Sequence, residues 1–321
     1  MAPAFRCTGD VNHVQVLASH EERGTGSGVA SRQEGGSSGS DEYPPGGPWL
    51  YARLHASAER HDELLTQWLL PLFTDLAVGF GDVDRWFFVR YQDPEPHLRL
   101  RFHGRPEGLY GRLLPRLHDL TNELRAKGLA RGLRLDSYLP ETQRYGGPLA
   151  LPLAEEVFCA DSRLVLARLR AAGGDPLLNT ASDVVELVRA FHAGYGLVWS
   201  SWLTETYPKQ YPHHQAFVER RRAALARIAL ERTQDDGQDR ESRETAEVLG
   251  RVLSLLEAFG RRLRARIDTG DTAADAGAIL GSFLHMHCNR RLGIDPKAEA
   301  RAMAIARGAV QGHLDRQRAR S

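Results

Sequence analysis

A strict alternation of apolar and polar residues marks the segment His97–His103. In an extended chain, neighbouring residues point to opposite sides. The apolar side holds Leu98, Leu100 and Phe102, and the polar side holds His97, Arg99, Arg101 and His103. The preceding run Trp86–Tyr91 is aromatic and β-branched, and a proline-containing turn separates the two segments. The pattern therefore predicts an antiparallel hairpin.

Most of the remaining chain shows helical spacing of apolar residues. These patterns cover residues 56–76 and 107–127 in the first half and 151–172, 179–203, 213–235, 243–267, 275–291 and 297–316 in the second. Another short strand is predicted at Leu133–Tyr138. Together the elements predict an α+β fold, in which a small antiparallel β-sheet in the N-terminal half packs against a mostly helical C-terminal half.

The first 47 residues differ from the rest in composition. The stretch Gly24–Gly47 is dense in Gly, Ser, Glu and Pro, and it offers too little apolar surface to offset the entropy lost on ordering. We therefore expect a flexible N-terminal extension over residues 1–47 and one folded domain over residues 48–321.

Composition and charge narrow the class of function. With 42% hydrophobic and 26% charged residues, the chain resembles ordinary soluble globular proteins. Lys plus Arg (42) nearly cancels Asp plus Glu (41), so no overall field favours nucleic acid or a membrane surface. Three distant cysteines, no signal peptide pattern and no long apolar run indicate a cytoplasmic protein. Common metal, nucleotide and serine-hydrolase motifs are missing from the sequence.

Three segments contain residues that could carry chemistry. Arg99 and Arg101 share one strand face, where guanidiniums could converge on an anion or could simply face solvent. Arg144 precedes a glycine pair, an arrangement that suits an anion ligand and equally a surface turn.

The third segment is Ser282–Gly293, which concentrates His, Asn and Arg within an apolar helix. Buried polar groups cost free energy unless they are paired, so such a cluster often marks a site. His285 and His287 are two residues apart and diverge by about 200° around a helix, which argues against a shared metal ion. His285 shares a face with Asn289, and His287 pairs instead with Arg290 and Arg291. A histidine that is merely satisfied within the helix is the simpler interpretation.

Taken in order, residues 86–104, 137–147 and 282–293 resemble the C-terminal elimination domain of class I lanthipeptide dehydratases and its standalone relatives in thiopeptide pathways. The resemblance runs from about residue 48 to the C-terminus. It implies a lyase that removes glutamate from glutamylated Ser or Thr of a ribosomal precursor peptide. The product would contain dehydroalanine or dehydrobutyrine.

The resemblance also assigns roles to residues. Arg99 and Arg101 match the family's paired-Arg strand, Arg144 its RYGG motif, and His285 the first His of its helix motif. We expect Arg101 and Arg144 to bind the glutamyl carboxylates or an oxyanion, Arg99 to support them, and His285 to act as acid/base, with His287 as second choice. The residues expected to contact substrate are Tyr138, His287, Asn289 and Arg290.

No metal or other cofactor is implied. The expected partners are the precursor peptide, with its glutamylated core and leader region, and a separate tRNA-dependent glutamylating protein; a homodimer is plausible from the family. The same fold serves thiopeptide pyridine synthases, which join two dehydroalanines in a [4+2] cycloaddition. A non-catalytic module that binds a leader peptide, through a sheet edge for example, is the other alternative.

Overall fold

The computed structural model of the chain describes residues 42–79, 81–171, 173–196, 198–207, 213–228 and 240–320. Residues 1–41, most of the predicted extension, lie outside the described residues. In the described part of that extension, Tyr43 forms a β-bridge with Tyr138 through two backbone hydrogen bonds of 2.9 Å. The two rings also stack, with centroids 6.1 Å apart. Packing on the folded domain therefore starts ahead of the expected boundary at residue 48.

Within the described ranges, one antiparallel sheet has the strand order β2-β3-β1-β4. Its strands are β1 (Trp49–His55), β2 (Val83–Tyr91), β3 (His97–Gly104) and β4 (Gly132–Asp136). The predicted hairpin is confirmed, because β2 and β3 pair antiparallel with Trp86 opposite Phe102 and Phe88 opposite Leu100. The predicted α+β class is confirmed as well.

Strand β1 is an interior strand that hydrophobic patterning did not predict. It lies between β3 and β4, and residues on both of its faces are buried, including Leu50 and Tyr51 at 0% and 4% exposure. A strand covered on both faces loses the apolar and polar alternation that marks a half-exposed strand. Only pairing with two neighbours identifies this segment.

One face of the sheet is apolar and packs against two helical segments. Segment α1 runs through Ala58–Arg60, His61–Glu63, Leu64–Leu69 and Leu70–Gly79, and segment α2 through Pro106–Gly108, Leu109–Leu113 and Leu114–Ala126. The side chains of Leu98, Leu100 and Phe102 are fully buried in the core that these segments complete. The apolar side of β3 thus faces α1 and α2, and Arg99 and Arg101 lie on the opposite face of the sheet.

The second half of the described chain is helical. The helices are α3 (Leu151–Arg170), α4 (Pro176–Tyr195), α5 (Trp199–Thr206), α6 (His214–Arg227), α7 (Arg240–Asp268), α8 (Ala276–Leu292) and α9 (Pro296–Arg318). They share a second core with the polar face of the sheet, to which Trp49, Tyr51 and Phe87 belong. No helix among the described residues is both long and apolar enough to cross a membrane.

Two predicted helices differ in extent from the observed ones. The single helix expected over residues 179–203 is two helices, because Gly196 has a φ of +87° and ends α4 in the left-handed conformation. The helix expected over residues 213–235 ends at Arg227, and residues 229–235 lie outside the described ranges.

A glycine sets the close approach of α4 and α7, and substituting it should destabilise the fold. A Cβ on Gly260 would lie 2.3 Å from the carbonyl oxygen of Phe191. Gly260→Ala should therefore lower the free energy of unfolding by about 1–3 kcal/mol, the usual cost of overpacking. Gly250→Ala is the matched control in the same helix, since nothing lies within 4 Å of its Cβ position. It should stabilise α7 by about 0.5–1 kcal/mol through helix propensity. Equal urea midpoints for the two variants would contradict this close approach.

Candidate active site on the polar face of the sheet

Arg99 and Arg101 project from β3 on the face that is opposite α1 and α2. The Arg99 guanidinium lies 3.4 Å from the ring centre of Tyr91, and its Nε donates to His97 Nε2 at 3.3 Å. Burial, Arg101 and Arg53 lower the pKa of Arg99, although Tyr51 and Tyr91 act in the opposite sense. No carboxylate among the described residues forms an ion pair with Arg99. The positive charge is therefore held in place without being neutralised.

The Arg101 guanidinium sits among aromatic rings. The rings of Tyr51, Tyr138 and Phe87 lie 4.9, 5.0 and 5.5 Å away. Cation–π contacts of this kind orient a guanidinium and still leave its N–H groups free to donate. The Arg101 Nε is buried and has no hydrogen-bond partner among the described residues. A buried donor without a partner is costly, so this geometry suits an incoming anion.

Tyr138 lies beneath Arg101 and is 3% exposed. Its hydroxyl donates to Glu155 of α3 at 3.0 Å, and Arg85 donates to the other oxygen of Glu155 at 2.9 Å. Burial raises the pKa of Glu155 to about 7, in opposition to the attraction of Arg85. In the structure Tyr138 contacts Arg101 and Glu155, and its ring supports the guanidinium. Its expected contact with substrate stays a prediction.

Arg144 belongs to a short 3₁₀ turn, Thr142–Tyr145, that precedes the glycine pair. Gly146 and Gly147 have φ values of +86° and +93°, which explains why this turn carries glycines. Arg144 Nε donates to Ser282 Oγ of α8 at 3.0 Å, and its Nη1 donates to Glu141 at 2.7 Å. Burial acts to lower the pKa of Arg144, but the attraction of Glu141 is among the effects that together outweigh burial and raise this pKa.

His285 lies on α8, one turn after Ser282. Its Nδ1 is 2.9 Å from Oε2 of Glu299 in α9, and its side chain is 34% exposed. Because a carboxylate can only accept, Nδ1 carries the hydrogen of the neutral imidazole, and Nε2 keeps a lone pair. Nε2 has no hydrogen-bond partner among the described residues. This oriented, accessible imidazole has the arrangement of a general base.

His287 and Arg290, also on α8, are 1% exposed and meet at one buried carboxylate. Asp161 of α3 accepts from His287 Nδ1 at 2.6 Å and from Arg290 Nη1 at 2.8 Å. Burial disfavours these charges, but the mutual attraction outweighs it, so the pKa of Asp161 is lowered and that of His287 is raised. This geometry joins α3 to α8 and buries both side chains. The substrate contacts expected of His287 and Arg290 stay predictions.

Asn289, which is also an expected substrate contact, binds the backbone of β2 in the structure. Its amide accepts from the backbone N–H of Arg90 and donates to the carbonyl of Arg90, both at 3.0 Å. Arg290 donates to the Phe88 carbonyl, and Ser162 accepts from the Phe88 N–H. These side chains close the outer edge of β2, where unpaired backbone groups would otherwise remain. Asn289 and Arg290 thus fix the position of α8 relative to the sheet.

An aromatic cluster connects the Arg101 and Arg144 regions. The ring of Phe158 lies 5.3 Å from Phe87 and 4.8 Å from Tyr145, the residue that follows Arg144. Burial raises the pKa of Tyr145 to about 12, although the positive charges of Arg144, Arg290 and Arg101 each act to lower it. The structure therefore brings both arginines to one aromatic neighbourhood. His285 lies on α8 one turn after Ser282, which accepts from Arg144.

One pocket is lined by Gly146 and Gly147, and another is lined by residues that follow this turn, beginning at Leu149. The second pocket, of about 220 Å³, is lined by apolar side chains that include Leu149, Leu153 and Leu263. The first, of about 380 Å³, is polar and is lined by Gln143 and Arg266 among others. Arg99, Arg101 and His285 line neither of these pockets. Among the described residues, no three His, Cys, Asp or Glu side chains are grouped so that they could hold a metal ion.

Sequence reasoning missed the partners of the predicted residues. Ser282 contacts Arg144, Glu299 contacts His285, and Glu155 contacts Tyr138. In each pair the two residues lie on different elements of the chain. Ser282 is the first residue of the segment Ser282–Gly293, and its position one turn before His285 could have indicated that it lies near the candidate site. Glu155 and Glu299 are ordinary helix carboxylates in the sequence, and only packing distinguishes them.

Comparison with known proteins identifies the family. The model for the lantibiotic biosynthesis dehydratase C-terminal family matches residues 49–310. The subtilin biosynthesis protein SpaB of Bacillus subtilis is 28% identical over 282 residues, which are 84% of this chain and 26% of SpaB. This chain thus spans about a quarter of that relative.

Two solved structures share the fold. The tRNA-dependent lantibiotic dehydratase MibB from Microbispora sp. 107891 superposes with a TM-score of 0.69 at 27% identity, over 90% of this chain and 29% of MibB. The pyridine synthase TbtD from thiomuracin biosynthesis has a TM-score of 0.59 at 16% identity, over 83% of this chain and 98% of TbtD. The residues matched by the family model include the sheet, the Gly146–Gly147 turn and helix α8. This chain therefore belongs to the lantibiotic biosynthesis dehydratase C-terminal family.

Proposed function

We propose that this protein is a lyase that eliminates glutamate from glutamylated Ser or Thr residues of a ribosomal precursor peptide. Family membership supports a role in peptide dehydration. The side chains on the polar face of the sheet support the specific reaction. The observation that carries the proposal is the pair Arg99 and Arg101, held by aromatic rings and free of carboxylate partners among the described residues.

The reaction needs a base at the peptide Cα and positive charge at the leaving group. His285 Nε2 takes the Cα proton, and the electron pair of that C–H bond forms the Cα=Cβ double bond. The Cβ–O bond breaks, and its electron pair leaves on the carboxylate of glutamate. Arg101 and Arg144 stabilise the new carboxylate, and Arg99 adds to the field. Glu299 keeps the imidazole oriented and stabilises its charge after proton transfer.

The test uses a precursor peptide with a glutamyl ester on Ser. We expect release of free glutamate and a peptide whose mass is one water below that of the unmodified peptide. Simple hydrolysis would restore Ser and the unmodified mass, so mass spectrometry separates the two reactions. No dehydrated product above the rate without protein would overturn the proposal.

A second candidate is the pyridine-forming cycloaddition of TbtD, because the two chains match in fold over nearly the whole length of TbtD. A peptide that already contains dehydroalanines tests this activity separately. Leader release with formation of a macrocycle would assign cycloaddition. Retention of the four predicted residues Arg99, Arg101, Arg144 and His285 favours elimination, because a cycloaddition expels no glutamate.

A further inference from the structure

Arginine is unusually concentrated on the polar face of β1 and its neighbours. Arg53 of β1 is directly opposite Arg99 of β3 on one side and Arg134 of β4 on the other. Directly opposed residues on adjacent strands have Cβ atoms about 4.5–5.5 Å apart, and like charges in such pairs destabilise a sheet. A row of three arginines therefore requires a compensating anion.

The anions present do not balance Arg53 and Arg99 of this row together with Arg101, which lies two residues from Arg99 on β3. Arg53 forms an ion pair with Asp136, whereas Arg99 and Arg101 have no such pair among the described residues. Three guanidiniums and one carboxylate leave a net charge of two positive units on the block formed by Arg53, Arg99, Arg101 and Asp136. The lone carboxylate, moreover, is bound at one side of the block, on edge strand β4.

Unused hydrogen-bond donors point to the same place. Tyr51 is opposite Arg101 in the register, and its ring lies 5.6 Å from the Arg53 guanidinium and 4.9 Å from that of Arg101. Arg53 Nε and Arg101 Nε are buried and lack a hydrogen-bond partner among the described residues. The Tyr51 hydroxyl is also buried; its oxygen can accept from Arg53, and its hydrogen has no acceptor among the described residues. Tyr51 is 4% exposed, so solvent does not satisfy its hydroxyl. Three buried N–H and O–H groups without an acceptor, on adjoining strands, form a preformed site for an anion.

The dimensions of this block match one glutamyl group. Arg53 and Arg101 are diagonal neighbours in the register, and such positions are about 7–8 Å apart. Both guanidiniums approach the ring of Tyr51, which lies between them. The two carboxyl carbons of glutamate are four bonds apart, which is about 5 Å in an extended chain. A glutamyl group whose ester carbonyl lies at Arg101 on β3 can therefore place its side-chain carboxylate at Arg53 on β1.

On these grounds, and resting on the proposed elimination activity, we propose that Arg53, with the hydroxyl of Tyr51, binds the side-chain carboxylate of the glutamyl group and sets the preference for glutamate as leaving group. Nothing in the hydrophobic pattern singles out this arginine. Its assignment depends on the register of β1 with β3.

The test compares two peptides that carry either a glutamyl or a glutaminyl ester on the same Ser. The two esters differ by one charge at the position assigned to Arg53. The unsubstituted protein should convert the glutamyl ester about 10- to 100-fold faster, the range for one charge-assisted hydrogen bond. Arg53→Gln should reduce this ratio to within about threefold by slowing the glutamyl ester alone. Arg53→Lys, which keeps the charge, should retain part of the preference.

Arg134→Gln is the matched control. It removes one positive charge from the same strand row, but Arg134 is exposed and lies on the far side of β1 from Arg99. The ratio should stay near that of the unsubstituted protein. A ratio that Arg53→Gln leaves unchanged, or that both variants lower equally, would overturn the assignment of Arg53. Because the ratio is taken within one variant, a smaller folded fraction slows both esters alike and cannot produce the expected fall in the ratio.

Failure of the elimination activity itself would look different. In that case the unsubstituted protein would form no dehydrated peptide from either ester. This result would contradict the proposed function, and there would be no ratio to measure. Conversion of the glutamyl ester with a ratio near one in the unsubstituted protein would contradict the inference about Arg53 alone.

Discussion

Replacing His285 by alanine is expected to slow dehydration of a glutamylated peptide by about 100- to 10,000-fold, the usual contribution of a positioned general base. The imidazole is partly exposed and is oriented by Glu299, and its Nε2 is unoccupied. The side chain makes little contribution to the buried core, so the free energy of unfolding should fall by less than about 1 kcal/mol. The rate of glutamate release and a urea titration measure the two quantities.

The matched control is His118→Ala. His118 is an exposed histidine on α2 that contacts Asn122 at 2.9 Å, and it is remote in sequence from the predicted site. Its loss should change neither the rate nor the stability. A His285→Ala variant that dehydrates at the parental rate would remove His285 from the mechanism, whatever its stability.

His287→Ala is expected to have the opposite profile, with a loss of about 3–5 kcal/mol in the free energy of unfolding. The imidazole is completely buried and pairs with Asp161, and Asp183 lies 3.8 Å from its other nitrogen. Removing it takes away the positive charge beside Asp161 and beside Oδ2 of Asp183, whose other oxygen keeps its ion pair with Arg168. Urea unfolding at fixed pH measures the loss, and Arg290 retains its own contact with Asp161 in the variant.

The pH dependence of that loss has a defined sign. The folded-state pKa of His287 is raised above 6.5, chiefly by Asp161 against the effect of burial. Its contribution is therefore complete below pH 6.5 and disappears as the pH rises through the raised value. The pKa of Asp161 is lowered from 3.8, so its contribution is present above that pH and is lost as the pH falls through the lowered value. The stability difference between parent and variant should therefore be largest between these limits.

The two histidine variants together test the choice of base. If His287→Ala kept its stability within about 1 kcal/mol and lost dehydration, while His285→Ala remained active, the roles assigned to the two residues would be reversed. Loss of activity in His287→Ala with partial unfolding would support the structural role, since the unfolded fraction accounts for the missing rate.

The alternation of apolar and polar residues predicted a strand correctly where only one side of that strand is apolar. The alternation in β3 places Leu98 and Leu100 in the core and Arg99 and Arg101 on the opposite face, as the burial of the strand shows. It failed for β1, where both faces are covered and no alternation survives. Arg53 was missed for this reason, because its significance depends on which strands flank it.

The sequence by itself determined the hairpin, the helical second half and the order of the three motifs that place the chain in its family. These features depend on local spacing and on residue types that stand near one another in the chain. It also placed a polar cluster on α8, but it could not decide which of its members face outward.

The tertiary structure alone made that decision. Asp161 is 126 residues from His287 in sequence, yet it contacts His287 and Arg290 and buries both. Asn289 reaches across 199 residues to the edge of β2, and His285 is left on the side of Glu299. A rotation of about 200° between two residues of one helix thus separates a buried ion pair from an accessible imidazole. Helix periodicity gives the angle between such residues, but only the neighbouring helices and strands determine which direction is the interior.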